Sequence, residues 1–213
     1  MLLRNPPGES SIPHLVAQPA VARVPTLKAE MIVARGFIDP ILCTALMKLI
    51  DKKRRPSAIA DDNGDKYFRT SETCDLPEAN KAVQALEEKL FRVSGIDPKH
   101  GEPVQGQRYA VGQEFKAHTD YFEPSGEGYQ EYCKVAGQRT WTFMIYLNNV
   151  EGGGSTSFKA VGQEFQPEQG KLLAWNNRRP DKRVNPNTMH HANPVTAGTK
   201  YVITKWYREK PWG

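Results

Sequence analysis

The residues whose types and spacing most clearly indicate chemistry are His118 and Asp120, together with a distant histidine pair. Side chains two residues apart on a β-strand point to the same face, so His118 and Asp120 can offer an imidazole nitrogen and a carboxylate oxygen to one ion. A third ligand from another strand would complete a 2-His-1-carboxylate set. That set leaves coordination positions open and suits non-haem Fe(II) oxygenases. His190 and His191 are both candidates for the third ligand.

The elements that must position these residues change in character along the chain. Residues 1–28 contain five prolines and no periodic pattern, which indicates an irregular N-terminal arm. A short strand is predicted at 32–37. A helix is predicted to begin at Asp39-Pro40, and a second helix is predicted at 80–94. The apolar stripe expected for the first helix consists of Ile41, Leu42, Ala45, Leu46 and Leu49. After Gly101, short alternating segments separated by Gly, Pro and Asn are typical of a β-sandwich or barrel.

Composition narrows the class of protein. The chain has 213 residues, of which 38% are hydrophobic and 25% charged, as expected for one soluble globular domain with a substantial core. No apolar run approaches the roughly 18 residues of a membrane span, so no membrane partner is expected. The N-terminus lacks the apolar segment of a secretory signal. Cys43, Cys74 and Cys133 are widely spaced, which argues against disulfides and structural zinc and favours a cytoplasmic location.

The net charge is +5 and the sequence pI is near 9.0. Such a balance can indicate an acidic or nucleic-acid partner. The charges are dispersed apart from two basic clusters, at 52–55 and 178–183, and we interpret both clusters as solvated surface.

Three stretches, at 108–122, 139–158 and 189–206, resemble the motifs of prolyl 4-hydroxylase-type dioxygenases, which use Fe(II) and 2-oxoglutarate. The motifs appear in the order and spacing of that family, and the resemblance runs from about residue 30 to the C-terminus. It implies a mainly β fold with supporting helices (α+β) around a double-stranded β-helix, or jelly roll. We therefore expect one dioxygenase domain at 29–213, with helical support at 38–95 and the jelly-roll core at 102–210.

The resemblance also chooses between the two histidines. The family places its second histidine ligand four residues before a Pro-Val pair and ten before a basic residue, which matches His190, Pro194 and Lys200. The implied iron ligands are therefore His118, Asp120 and His190, with His191 on the opposite face of its strand. Related halogenases replace the carboxylate ligand by a small residue, so the presence of Asp120 favours hydroxylation.

The cosubstrate site is implied in the same way. Lys200 is expected to bind the distal carboxylate of 2-oxoglutarate, because a desolvated carboxylate needs a fixed cation. Tyr109 and Tyr146 match tyrosines that line the family's pocket, and Thr156 and Thr204 are further candidates. O2 is the second cosubstrate, and ascorbate is the reductant that the resemblance adds.

On the substrate side, Arg139, Trp206 and Arg208 fall where the family places groups around a peptide-binding mouth. The loops at 60–75 and 123–138 are predicted to be lids, and Arg69-Thr70-Ser71 in the first resembles a family motif. The chain departs from the family at Phe115, where many members have tyrosine, and in the basic, Asn-rich segment 176–187.

The resemblance therefore implies a 2-oxoglutarate-dependent hydroxylase of prolyl residues in a peptide or protein. Three alternatives remain: the same chemistry on a free amino acid or other small molecule, demethylation of nucleic acid, and a non-enzymatic β-barrel binding module. A nucleic-acid partner is disfavoured, because those enzymes typically have arginines at the place of Lys200 and no aromatic platform is evident. The sequence does not specify the oligomeric state.

Overall fold

Two antiparallel sheets dominate the fold, which a computed structural model describes for residues 8–57, 67–126 and 128–213. In chain order the described strands are β1 (Val21–Arg23), β2 (Met31–Ala34), β3 (Arg55–Pro56), β4 (Glu72–Asp75), β5 (Gln105–Tyr109), β6 (Phe115–His118), β7 (Arg139–Tyr146), β8 (Gly152–Gly153), β9 (Thr156–Phe158), β10 (Gln163–Phe165), β11 (Leu172–Asn176), β12 (His190–Ala192), β13 (Val195–Ala197) and β14 (Lys200–Arg208). The described helices are α1 (Ile12–Val16), α2 (Pro40–Lys53), α3 (Lys81–Ser94) and α4 (Tyr129–Cys133), with 3-10 turns at Pro98–His100 and Pro186–Thr188.

The large sheet has the strand order β1-β2-β11-β7-β14-β5-β4-β3, and the small sheet has the order β10-β9-β12-β6. Strands β8 and β13 form a separate pair. Inward-facing side chains of both sheets pack together in one apolar cluster, which includes Tyr146 and Trp175 from the large sheet and Phe158 from the small one. This arrangement confirms the predicted jelly roll with supporting helices, although the sheets do not close into a barrel.

The side chains of strand β7 pack alternately into two apolar clusters, one on each face of the large sheet. Trp141, Phe143 and Ile145 point outward and pack in the cluster that also contains the apolar faces of α2 and α3. Met144 and Tyr146 alternate with them and point between the two sheets. The two-residue period of a strand therefore separates a structural face from a face that is available to a site.

The two predicted helices are confirmed, and their ends have clear causes. The Asp39 side chain accepts a hydrogen bond from Leu42 N at 2.8 Å and caps α2, while Asn80 caps α3. Helix α3 ends at Gly95, which has a left-handed φ of 67°. One detail of the prediction was wrong, because Ile41 is 83% exposed. The buried residues of α2 are Leu42, Cys43, Leu46 and Ile50.

Strand β5 approaches α2 so closely that a Cβ at Gly106 would lie 2.3 Å from Ile50. Only glycine fits at that point, and it lets the helix lie directly on the large sheet. The helix and sheet are thereby held at a fixed separation behind the strands that line the interior.

The N-terminal region differs from the prediction. Residues 8–28 are not irregular, since they contain α1 and β1, while residues 1–7 lie outside the described residues. Strands β1 to β4 all precede Gly101 and extend the large sheet beyond the predicted core at 102–210. Strands of two to four residues are too short to show alternation, so their pairing becomes visible only in the folded sheet.

Within the described ranges, no helix combines the length and apolar character that a membrane crossing requires.

Candidate active site

The three predicted metal ligands lie together at the inner face of the small sheet. His118 on β6 and His190 on β12 are direct cross-strand partners, and Asp120 follows two residues after β6 ends. One ligand atom of each residue can be chosen so that all lie within 4.8 Å of one another. His118 Nε2 is 3.9 Å from Asp120 Oδ1, and His190 Nε2 is 4.0 Å from Oδ2.

Hydrogen bonds orient each ligand from behind. The Nδ1 atom of His118 lies 2.7 Å from Lys116 O, and that of His190 lies 3.0 Å from Thr188 O. A ring that donates from Nδ1 to a carbonyl presents an unprotonated Nε2 to an ion. The Thr142 hydroxyl donates to Asp120 Oδ2 at 2.7 Å and accepts from Asn177 Nδ2 at 2.9 Å.

The electrostatics favour the protonation states that bind a cation. Burial, aided by the nearby His190, holds the pKa of His118 well below its usual range, so this imidazole is neutral. Burial acts to raise the pKa of Asp120, but His190, His118, Arg139 and the Thr142 hydrogen bond together lower it. A neutral imidazole beside an ionised carboxylate is a suitable ligand pair for Fe(II).

Lys200 lies on β14 in the same interior cavity as the metal ligands. Its side chain is 1% exposed, and its ammonium nitrogen has no hydrogen-bond partner among the described residues. The nearest aromatic groups are Tyr109 and Tyr146, whose ring centroids are 4.8 Å and 5.8 Å from Nζ. Burial lowers the pKa of Lys200 to about 7. A buried amine without a counterion is costly, which indicates that an anionic group binds here.

The hydroxyl groups near Lys200 are partly engaged. The Tyr146 hydroxyl lies 2.7 Å from Thr156 Oγ1 and 3.1 Å from Phe165 O, and its single proton can be donated to only one of them. Tyr109 is hydrogen-bonded to Ser71. Thr204 accepts from Gln107 Nε2 at 3.3 Å. Burial raises the pKa of both tyrosines, so they act as neutral donors.

Aromatic and apolar side chains form much of the wall of the cavity that contains both Lys200 and the metal ligands. Trp175 and Phe158 contact the His190 ring, with centroid distances of 4.8 Å and 5.2 Å. Phe115 stacks on His118 at 3.4 Å. The remaining cavity-lining residues are Gln107, Tyr109, Asp120, Met144, Thr156, Ala192, Lys200, Val202, Thr204 and Trp206. Such a wall excludes water and strengthens polar interactions within the cavity.

The three residues expected at the substrate mouth have different surroundings. Trp206 lines the cavity, and its indole nitrogen has no partner among the described residues. Arg139 instead forms a two-pronged ion pair with Glu102, with distances of 2.6 Å and 2.7 Å. Arg208 is 1% exposed and also pairs with Glu102, at 3.0 Å. The two guanidinium groups are therefore committed to a buried ion-pair network, and this geometry does not support substrate contacts by either.

Arg139 still acts on the site indirectly. Its Nη1 donates to Asp120 O at 3.2 Å, and its guanidinium lies 4.0 Å from the Trp206 ring centroid. It therefore positions both a metal ligand and a cavity wall.

His191 points away from the cavity and pairs with Glu114 at 2.7 Å, on the face opposite His190. Arg69 lies 4.8 Å from the Phe115 ring centroid and donates to Thr73 and Gln105. Of the two predicted lid loops, residues 60–66 and 127 lie outside the described residues. The second loop contains α4, and the lid function of both loops stays a prediction.

Sequence reasoning missed Thr142 and Asn177. Thr142 could have been found, because it alternates with Met144 and Tyr146 on the inward face of β7. Asn177 offers no local signal, since its contact with Thr142 joins residues 35 positions apart.

The donor set fits Fe(II), because two imidazoles and one carboxylate lie within 4.8 Å of one another, and three protein ligands leave coordination positions open for further ligands. The unpartnered ammonium of Lys200, in the same cavity, fits the distal carboxylate of 2-oxoglutarate. A jelly roll with this set defines a non-haem iron oxygenase that uses a 2-oxo acid.

Comparisons with known proteins support this class of enzyme. Residues 104–208 match the family model described as the 2OG-Fe(II) oxygenase superfamily. The chain is similar to a probable prolyl 4-hydroxylase 9 of Arabidopsis thaliana, with 28% identity covering 94% of this chain and 78% of the relative. It is also similar to a putative prolyl 4-hydroxylase of Acanthamoeba polyphaga mimivirus, with 29% identity covering 84% of this chain and 74% of the relative.

Solved structures show the same fold. The viral collagen prolyl hydroxylase of Paramecium Bursaria Chlorella virus-1, in its 2OG complex, superposes with a TM-score of 0.66 at 24% identity, covering 84% of this chain and 95% of that one. A Pseudomonas putida prolyl-4-hydroxylase superposes with a TM-score of 0.57 at 16% identity, covering 91% of this chain and 94% of that one. Together with the site, these matches support a 2OG-Fe(II) oxygenase of the prolyl 4-hydroxylase type.

Proposed function

We propose that this protein hydroxylates prolyl residues in a peptide or protein, using Fe(II), O2 and 2-oxoglutarate. The observation that carries the proposal is the shared cavity, in which His118, Asp120 and His190 face the unpartnered ammonium of Lys200. The similarity to prolyl 4-hydroxylases supports prolyl residues as the substrate class.

When bound, Fe(II) and 2-oxoglutarate supply the oxidising chemistry, in which 2-oxoglutarate and O2 become succinate and CO2 while one oxygen atom enters a substrate C–H bond. His118, Asp120 and His190 hold the ion. Lys200 in its protonated form binds the distal carboxylate. Trp175 and Phe158 exclude water beside His190.

The peptide enters from the end of the cavity opposite Lys200. In the register of the large sheet, Lys200 pairs with Tyr109, while Trp206 pairs with Thr142, the residue that holds Asp120. Six residues of β14 separate these two levels, which is roughly 20 Å along a strand. The unpartnered indole N–H of Trp206, at the metal end, is a donor for a substrate carbonyl.

The test is succinate formation by anaerobically iron-loaded protein after oxygen is admitted, with and without candidate substrates. The substrates are proline-containing peptides, free proline and methylated oligonucleotides. We expect stimulation by at least one peptide, together with a mass increase of one oxygen atom on its proline. Stimulation only by free proline or only by the oligonucleotides would contradict the proposal.

We also propose that the protein acts in the cytoplasm. Cys43, Cys74 and Cys133 are free and buried, which fits a reducing compartment. Cell fractionation with an antibody to the native protein tests this, and recovery in a secreted or membrane fraction would contradict it.

A further inference from the structure

A basic hairpin extends from the metal end of the fold. Strand β11 ends at Asn176, and just beyond it Asn185 N donates to Asn177 O at 2.9 Å. Arg178 and Val184 then form a β-bridge, and Arg179 N donates to Arg183 O at 2.8 Å. Lys182 has a left-handed φ of 66°, and its N–H closes the turn on Arg179 O. Residues 178–184, here called the basic hairpin, therefore have a defined backbone.

Both ends of the basic hairpin connect to the metal ligands. Just before it, Asn177 donates to Thr142, which in turn donates to Asp120. After it, the Thr188 carbonyl contacts Nδ1 of His190. The register places Trp175 of β11 opposite Thr142. Arg179 comes four residues after Trp175, and four residues of extended chain span roughly 13 Å. The hairpin thus stands at the end of the cavity where a peptide would enter.

Arg179 is half-buried, whereas Lys182 and Arg183 are exposed.

Two cations of the hairpin have no local partner. Arg183 is paired with Asp181 at 2.6 Å, and the buried Arg178 is paired with Glu9 and Glu209. The side chains of Arg179 and Lys182 form no ion pair or hydrogen bond with any residue that the structure describes. Segment 179–183 has three basic residues and one acidic residue, a net charge of +2.

In the second basic cluster, at 52–55, two of the four cations are paired locally. Arg54 pairs with Asp51 and Glu72, and Arg55 pairs with Asp75. Nucleic acid needs several cations arranged along a backbone, whereas two unpaired cations at the mouth of a cavity fit an acidic side chain of a peptide.

We propose that Arg179 and Lys182 select peptide substrates with an acidic residue roughly four residues from the hydroxylated proline. The distance follows from the strand separation given above, because an extended peptide spans about 13 Å in four residues. This inference rests on the proposed prolyl hydroxylation and assigns part of its specificity. Charges at the rim of a binding site act mainly on encounter and on salt dependence.

The experiment compares matched proline-containing peptides with glutamate or glutamine four residues to either side of the proline. The protein variants are Arg179→Gln/Lys182→Gln and, as a control with the same loss of charge, Lys52→Gln/Lys53→Gln on α2. Iron-loaded protein is assayed for kcat/KM by peptide hydroxylation at low and high salt. The Arg179→Gln/Lys182→Gln variant loses two ion pairs with the peptide at the rim of the site. We therefore expect its kcat/KM for the better glutamate peptide to fall by about three- to tenfold at low salt. The kcat/KM of the same variant for the glutamine peptides should change by less than about twofold. The kcat/KM of the control variant for the glutamate peptide should also change by less than about twofold.

A charge reversal provides the second measurement. The variant Arg179→Glu/Lys182→Glu should prefer lysine at the selected peptide position, which a merely misfolded hairpin would not do. Equal kcat/KM for glutamate and glutamine peptides in the unaltered protein, or equal losses on both in the variant, would overturn the hairpin assignment alone. If no peptide is hydroxylated while succinate still forms, the proposed function fails and the assignment falls with it. The unaltered protein could instead bind a single-stranded oligonucleotide more tightly than the glutamate peptide, with that binding lost in Arg179→Gln/Lys182→Gln. This result would overturn the assignment of the hairpin to acidic peptides in favour of nucleic acid.

Discussion

The hydroxyl of Thr142 donates a 2.7 Å hydrogen bond to Oδ2 of Asp120, so a residue of the large sheet orients a ligand beside the small one. The position of the carboxylate therefore depends on how the two sheets pack. Asn177 supports the same hydroxyl from β11's end, and Trp175 Nε1 donates to Asn177 Oδ1 at 3.1 Å. This chain of hydrogen bonds couples the metal ligand to the base of the basic hairpin.

Replacing Thr142 tests that coupling. Thr142→Val removes the donor to Asp120 while keeping the shape of the side chain, and we expect Fe(II) affinity to fall by about tenfold or more. An anaerobic Fe(II) titration measures it. Thr140→Val is the matched control, because Thr140 is equally buried but its hydroxyl donates to main-chain carbonyls. Equal losses of affinity in both variants would show that Thr142 has no particular effect on the metal.

The metal ligands are tested by single substitutions. His118→Ala and Asp120→Ala should each reduce succinate formation to the level of iron-free protein, because two ligands hold the ion too weakly. The far-ultraviolet circular dichroism spectrum should be unchanged. His191→Ala is the control, since that ring faces Glu114 outside the cavity. Turnover by either ligand variant at the unaltered rate would refute the site.

Lys200 should make 2-oxoglutarate binding pH-dependent. Its pKa is about 7 in the free protein, and the distal carboxylate requires the protonated form. The affinity should be constant below pH 7 and should fall by up to about tenfold per pH unit above it, because binding then takes up a proton. Anaerobic calorimetry in buffers of different ionisation enthalpy measures both effects. Proton-independent binding at pH 8 would contradict this role.

The same group affects stability in a defined direction. The pKa of Lys200 is lower in the folded protein than the roughly 10.4 of an unfolded lysine, so the unfolded state binds more protons between these values. The free energy of unfolding of the cofactor-free protein should therefore receive from Lys200 a contribution that rises with pH from about 7 to about 10. Lys200→Met should remove that contribution, as measured by urea unfolding at several pH values.

Glu102 should be important for stability. It lies between Arg139 and Arg208, and all three side chains are largely buried. Burial acts to raise the pKa of Glu102, but the two arginines lower it, so the carboxylate is ionised. Glu102→Gln would leave two buried guanidinium groups without a counterion and should destabilise the protein by about 3 kcal/mol. Glu88→Gln, which removes the exposed pair with Arg92, should cost no more than about 0.5 kcal/mol in the same denaturant series.

Much of the site could be predicted because its residues are marked by local spacing. His118 and Asp120 are two apart, and the order of motifs around His190 and Lys200 matches a family. The helices at 40–53 and 81–94 were also predictable, since their caps and apolar period are local. Of the short early strands, β2 was predicted at 32–37, whereas β1, β3 and β4 were not, because two to four residues carry too little alternation to distinguish strand from loop.

The sequence by itself determined the set of candidate ligands, the helical and β-rich regions, and the class of chemistry, because each depends on residue type and near-neighbour spacing. Only the tertiary structure decided which polar groups are free to act. It places Arg139 and Arg208 against Glu102, leaves Lys200 without a hydrogen-bond partner in the part of the chain that the structure describes, and brings Thr142 to Asp120. These outcomes depend on contacts between residues far apart in the chain, where burial rather than residue type determines whether a charge is paired or available.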